Sequence, residues 1–187
     1  MPGAAKKLAT YADLLAAPPQ LVAQLIDGEL VTQPRPAAKH ARAGMRLGVH
    51  LEGGYGGGDD DDKGEWILLF EPELHLDPHV LVPDLAGWRR RRMPELPDVA
   101  YFELAPDFCC EILSPSTARL DRTRKLPIYA EHGVGHVWLV DPSLRMLEVF
   151  ALDGESYRFL SSHAEAEQVR AAPFDTIPLD LGRLWAR

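Results

Sequence analysis

One stretch constrains this chain more than any other: "PDFCCEILSPSTARLDRTRKLPIYAEHGVGHVWLVDP", Pro106 to Pro142. Its first part is a short apolar strand, its middle a helix, and "HVWLVD" a buried strand. Along the first strand side chains alternate, so Cys109, Glu111 and Leu113 share one face and Phe108, Cys110 and Ile112 the other. Glu111 is the anomaly. A carboxylate inside an apolar strand is costly unless it is paired or holds a metal. Ser116 or Thr117 suits the helix N-cap and Gly133 its C-terminal stop. Pro127 predicts a kink, or an effective start shifted to near Asp121.

The rest of the chain divides into short elements of both kinds. "TYADLLAAPP" reads as a helix with a capping box from Thr10 and Asp13, stopped by Pro18-Pro19. Asp27-Gly28 between two apolar runs predicts a hairpin near the N-terminus, and Asp153-Gly154 between "RMLEVFAL" and "SYRFLSS" predicts another near the C-terminus. "AAKHARAGMRLGVHLEGG" is a helix on which Ala41, Met45 and Gly48 fall at helical spacing, as do His40, Leu47 and Leu51. Its small residues predict close packing. "EWILLFEPELHL" and "HVLVPDLAGW" read as strands, and "DLGRLWAR" as a closing helix. The glycines around Asp59–Asp62 give a solvated loop without the alternating ligands of a calcium-binding EF-hand. Arg89–Arg92 read as a solvated turn, with phosphate contact as the alternative. Without an internal repeat, residues 1–187 are expected to form a single domain of mixed α/β (α+β) class.

Composition narrows the functions. The net charge of −8 argues against tight, non-specific nucleic-acid binding through a broad basic surface. It does not argue against chemistry on phosphodiesters at a local, metal-filled site. No apolar run reaches the length of a membrane span, and "MPGAAKKLAT" lacks the apolar stretch of a signal peptide, so a cytoplasmic protein is expected. Adjacent Cys109 and Cys110 point to opposite faces of a strand, which favours two reduced thiols and does not fit a structural zinc site.

Asp84, in the apolar run "VLVPDLAGW", repeats the anomaly of Glu111. Two acids on neighbouring strands of one core repel each other and lose solvation. A divalent cation between them, magnesium or manganese, answers both problems, since hard cations prefer oxygen ligands. Bound water then becomes acidic enough to attack phosphorus. Lys125 is the third element, suited to placing that water or offsetting charge on phosphate. Asp121 and Lys125 are also four apart on one helix, so a surface ion pair is the competing reading. For Asp84 the plain alternative is a turn aspartate after Pro83, and for Glu111 a carboxylate at a sheet edge. Ser114 lacks the glycines of a nucleophile elbow.

"VLVPDLAGW", the Pro106–Pro142 stretch and the early "LIDGELV…PAAKH" together resemble the Uma-two family of restriction endonucleases, within the PD-(D/E)xK nuclease superfamily. The resemblance runs from about Tyr11 to the end and is most specific between Pro83 and Pro142. It implies a restriction-endonuclease-like core, a central mixed sheet flanked by helices, with N-terminal and C-terminal hairpins. It also implies a metal-dependent endodeoxyribonuclease with DNA as substrate. Pro83-Asp84 matches the family's PD and Glu111 its (D/E), while Leu113 stands where the usual lysine would be. Lys125 matches a lysine moved to the following helix. Glu73 is implied as a further metal ligand ahead of Glu71, and His40 as an accessory group that orients a ligand or water. A non-catalytic nucleic-acid-binding or regulatory module on the same scaffold is the alternative. A homodimer would suit a double-strand cutter, since two sites must meet two strands.

Overall fold

The computed structural model describes residues 7–57 and 64–186. The loop expected at Asp59–Asp62 lies outside them. Helix α1 (Tyr11–Leu15) opens with the expected capping box: the Thr10 side chain accepts from the Asp13 N–H, and the Asp13 carboxylate accepts from the Thr10 N–H. Strands β1 (Leu21–Ile26) and β2 (Glu29–Pro34) form a hairpin in which Ile26 faces Glu29. Positive φ at both Asp27 (50°) and Gly28 (71°) gives the mirror-image turn that matches the strand twist.

Helix α2 (Ala38–Leu51) runs on into a π turn, Glu52–Gly56. Then come β3 (Trp66–Phe70), β4 (Leu74–Leu76), β5 (His79–Leu81), β6 (Leu85–Arg89) and β7 (Phe108–Ile112). The next helix has two α-helical parts, α3 (Ala118–Leu120) and α4 (Leu126–Glu131), joined through a π turn at Asp121–Lys125. β8 (His136–Asp141), β9 (Met146–Asp153), β10 (Ser156–Ala164), β11 (Gln168–Ala171), β12 (Phe174–Asp180) and α5 (Leu181–Trp185) complete the chain.

Six strands in the order β10-β9-β8-β7-β6-β3 make the central sheet. It is mixed, because β7 and β8 pair in parallel and the other neighbours are antiparallel. The helix between β7 and β8 makes the crossover that a parallel pair requires. A second sheet, in the order β2-β1-β5-β4, carries the N-terminal hairpin. All five residues of β7 are buried, as expected for a strand covered on both faces. Phe108, Cys110 and Ile112 pack with Leu47 and Leu51 of α2, while Cys109 and Leu113 pack with Ile128 and Tyr129 of α4. Both cysteines are free, as expected.

Two expected strands each break in two. Prolines cannot donate to a ladder, and Pro72 and Pro83 interrupt the runs. The pieces β4 and β5 join the second sheet, while β3 and β6 stay in the first. The helix after β7 begins at Ala118, not near Asp121, and the disturbance expected from Pro127 is the π turn just before it. Gly133 (φ 73°) ends that helix as expected, with the Val134 N–H on the Tyr129 carbonyl and the Gly133 N–H on that of Ala130.

Close packing of α2 runs through Ala43 and Gly44, whereas Ala41 is exposed and Met45 is 63% exposed. A Cβ on Gly44 would lie 2.8 Å from Ile112 Cδ1 and 3.1 Å from Phe70 Cε2. Gly44→Val is therefore expected to overpack this contact and cost roughly 1–3 kcal/mol, read by urea unfolding. Stability at or above that of the parent would show that the helix can move away freely. The arginine run is used structurally. Arg89 lies over the Trp66 ring at 4.4 Å, and Arg92 pairs with Asp107 at 3.1 Å.

Candidate active site

Antiparallel pairing sets Leu85 opposite Cys110, so one further step along β6 and β7 brings Asp84 opposite Glu111. The Ile112 N–H donates to Asp84 Oδ2 at 2.7 Å and fixes that carboxylate at the strand end. The backbone just before it is gripped from two sides. The Val82 N–H donates to Gln24 Oε1 at 2.9 Å, and Lys125 Nζ donates to the Val82 carbonyl at 3.4 Å. Both sequence anomalies thus converge at one end of the central sheet.

Lys125 comes to the same place from the π turn. Its Nζ lies 2.7 Å from Glu111 Oε1 and 3.6 Å from Asp121 Oδ1. The surface ion pair is not what the fold builds: Glu111, Asp121 and Lys125 are 3%, 2% and 0% exposed. The Tyr129 hydroxyl, one helical turn beyond Lys125, donates to the same Glu111 oxygen at 2.5 Å.

Burial sets the electrostatics. It raises the Glu111 carboxyl to about 8, although the Lys125 charge pulls the other way. Burial also raises Asp121, again opposed by Lys125. For Lys125 burial acts to lower the pKa, but the charges of Glu111 and Asp121 more than offset it, and the ammonium is held above its ordinary value. Lys125 is therefore a fixed cation, not a base.

His40, from the first turn of α2, puts Nε2 3.4 Å from Asp84 Oδ1. Burial opposes its protonation, yet the hydrogen bond and charge of Asp84 win and raise its pKa. Its Nδ1 is buried without a partner. A cavity of about 260 Å³ joins Asp84, Glu111, Asp121, Lys125 and His40, with Arg35 and Glu71 at its edge. Glu73 stands apart from this cavity. Its Oε1 accepts from the Tyr11 hydroxyl at 2.8 Å and contacts His75 Nε2 at 2.7 Å. Glu71, placed by the strand break at Pro72, lines the cavity instead and pairs with Arg35 at 3.5 Å.

Among the described residues no group of three or more His, Cys, Asp or Glu side chains is arranged to hold a metal ion. What the cavity offers is an oxygen pair, Asp84 and Glu111, beside a third carboxylate. That donor chemistry fits magnesium or manganese, which bind through one or two carboxylates and complete their shell with water and substrate phosphate. Tyr129 and the burial of Asp121 were not foreseen. A lone tyrosine carries no spacing signal, and the four-residue step from Asp121 to Lys125 fits a solvated helix face as well as a buried one.

No curated protein matches this chain. A crystal structure from Anabaena variabilis, titled a putative nuclease belonging to DUF820, superposes with a TM-score of 0.74 at 20% identity, covering 95% of this chain and 97% of that one. Among the described residues no helix is long and apolar enough to cross a membrane. The model of the Uma2 family, described as "Putative restriction endonuclease", matches residues 8–181, and the chain belongs to that family.

Proposed function

We propose that this protein is a metal-dependent endodeoxyribonuclease, acting in the cytoplasm, with Asp84, Glu111 and Lys125 as its working set. The observation that carries this reading is the convergence of two strand carboxylates in adjacent register with a buried lysine ammonium, in a cavity open to a ligand. A structural core has no need of all three. A magnesium or manganese ion held by Asp84 and Glu111 would supply Lewis-acid activation of water and phosphate. Glu71 is better placed than Glu73 to assist them.

The chain's own residues then have separable tasks. The Ile112 N–H and His40 orient Asp84. Tyr129 and Lys125 orient Glu111. Lys125, kept cationic by its two carboxylates, offsets negative charge as water oxygen bonds to phosphorus and the bridging P–O bond breaks. The proton lost by water leaves with the departing oxygen. A homodimer is required only if both strands of a duplex are cut together.

A binding module without turnover is the second reading. It is favoured by the fact that one Glu111 oxygen already has two partners, Lys125 and Tyr129. Titration calorimetry with manganese separates the two when read beside DNA cleavage. Wild type is expected to bind manganese and cut, and Asp84→Asn to lose both. Equal binding by the variant would sink the metal assignment, and binding without cleavage of any DNA would favour the module.

A further inference from the structure

The working set is not displayed on an open face. Its cavity is narrow, below the range of about 300–1,000 Å³ typical of small-molecule pockets. One wall is the connection from β2 into α2, Pro34 to Ala37. The opposite wall is the turn from Ser114 to Thr117, braced by hydroxyl contacts of 3.0 Å from Ser114 to Ser116 and to Thr117. Glu111 and Lys125 lie at the floor, 3% and 0% exposed. Duplex DNA is a stiff rod with grooves about 6–12 Å wide. A phosphate reaching this floor must pass between residues 34–37 and 114–117, which a rigid duplex accommodates less readily than a flexible strand. A single strand can bend one phosphate inward while its neighbours stay outside.

A second feature points the same way. Phe70 is 49% exposed at the end of β3, directly before Glu71 of the cavity edge. Its ring packs on Gly44 of α2, one helical turn from His40. The same glycine touches Ile112, another residue of the cavity lining. A half-exposed aromatic side chain next in sequence to a cavity-lining residue is suited to stacking an unpaired base. Arg35, 57% exposed and paired with Glu71 at 3.5 Å on this same rim, supplies a cation for the flanking backbone.

We infer that the substrate is single-stranded DNA, or a locally unpaired strand, bent into the cavity with one base stacked on Phe70. This rests on the nuclease reading above. The test is fluorescence anisotropy with a labelled single-stranded oligonucleotide and its blunt duplex. It is run in calcium, which shares the preference for oxygen ligands, and cleavage of both is measured in manganese. The single strand is expected to bind at least about tenfold more tightly than the duplex. Phe70→Ala should lose about tenfold on the single strand and little on the duplex, and Phe70→Trp should restore it. Equal or tighter duplex binding overturns the inference, and if that duplex is also cut, the nuclease reading stands without it. Binding and cleavage of neither DNA overturns both. Single-strand preference unchanged in Phe70→Ala removes the stacking platform.

Discussion

Lys125→Met is expected to lose both cleavage and a large part of the folding stability. Methionine keeps most of the apolar stem, so the core is still filled, but the charge that compensates Glu111 and Asp121 is gone. At a pH above about 8, where Glu111 is ionised in the parent, breaking a buried pair from one side typically costs about 3–5 kcal/mol, because a charge or a proton uptake must be accommodated in a low-dielectric site. For a chain of this size that is a fall in melting temperature of roughly 10 °C. Were Lys125 on the helix surface, the change would be at most about 1 kcal/mol. Cleavage should fall by about two orders of magnitude or more, the scale for one positioned charge-stabilising group. Assays well below the melting temperature keep the two losses apart, and a double variant assigns them. Adding Asp121→Asn to Lys125→Met removes one stranded charge and should recover part of the stability, but none of the cleavage. Recovery of cleavage in the double variant would show that Lys125 serves only to hold the fold. A wild-type-like melting curve in the single variant would contradict the buried pair itself.

Local chemistry explains which parts of this arrangement were legible beforehand. The Thr10–Asp13 cap, the Asp27-Gly28 turn and the Gly133 stop each depend on a few adjacent residues, and each is found. Glu111 was legible because a carboxylate in an apolar strand is a visible contradiction. The sequence favours Glu73 over Glu71 because Glu71 lies near the loop end of its strand. Once Pro72 breaks it, Glu71 sits at the cavity and Glu73 turns to Tyr11 and His75. Asp121 and Lys125 show a deeper limit. A four-residue step looks the same on a solvated helix face and on a buried one. What decides between them is Glu111 on β7 and the Val82 carbonyl, both of which meet Lys125 from segments distant in sequence. Tyr129 is hidden for the same reason, since its role exists only in relation to Glu111.

In metal-free protein, stability is expected to fall as the pH rises from about 4.5 towards about 8, and the slope should be traceable to Glu111. Burial raises this carboxyl in the folded state from its ordinary 4.5 to about 8, so between those values the folded chain holds the proton more tightly than the unfolded chain. Folding then binds a proton, and stability decreases with pH by up to about 1.4 kcal/mol per unit. Below the unfolded value both states are protonated and the cost vanishes. Asp121, raised by burial, and His40, raised by Asp84 against its own desolvation, both hold their protons more tightly in the folded chain and add in the same direction. Comparison with Glu111→Gln isolates the one group: urea unfolding with chelator present should give a flatter pH dependence in the variant. A metal ligand must be deprotonated, so manganese should offset the loss and stabilise the wild type more near pH 8 than near pH 5. Identical slopes for wild type and Glu111→Gln would mean that Glu111 stays ionised throughout, its charge fully answered by Lys125. The carboxylate would then be locked into an ion pair, and the binding-module reading would gain over the catalytic one.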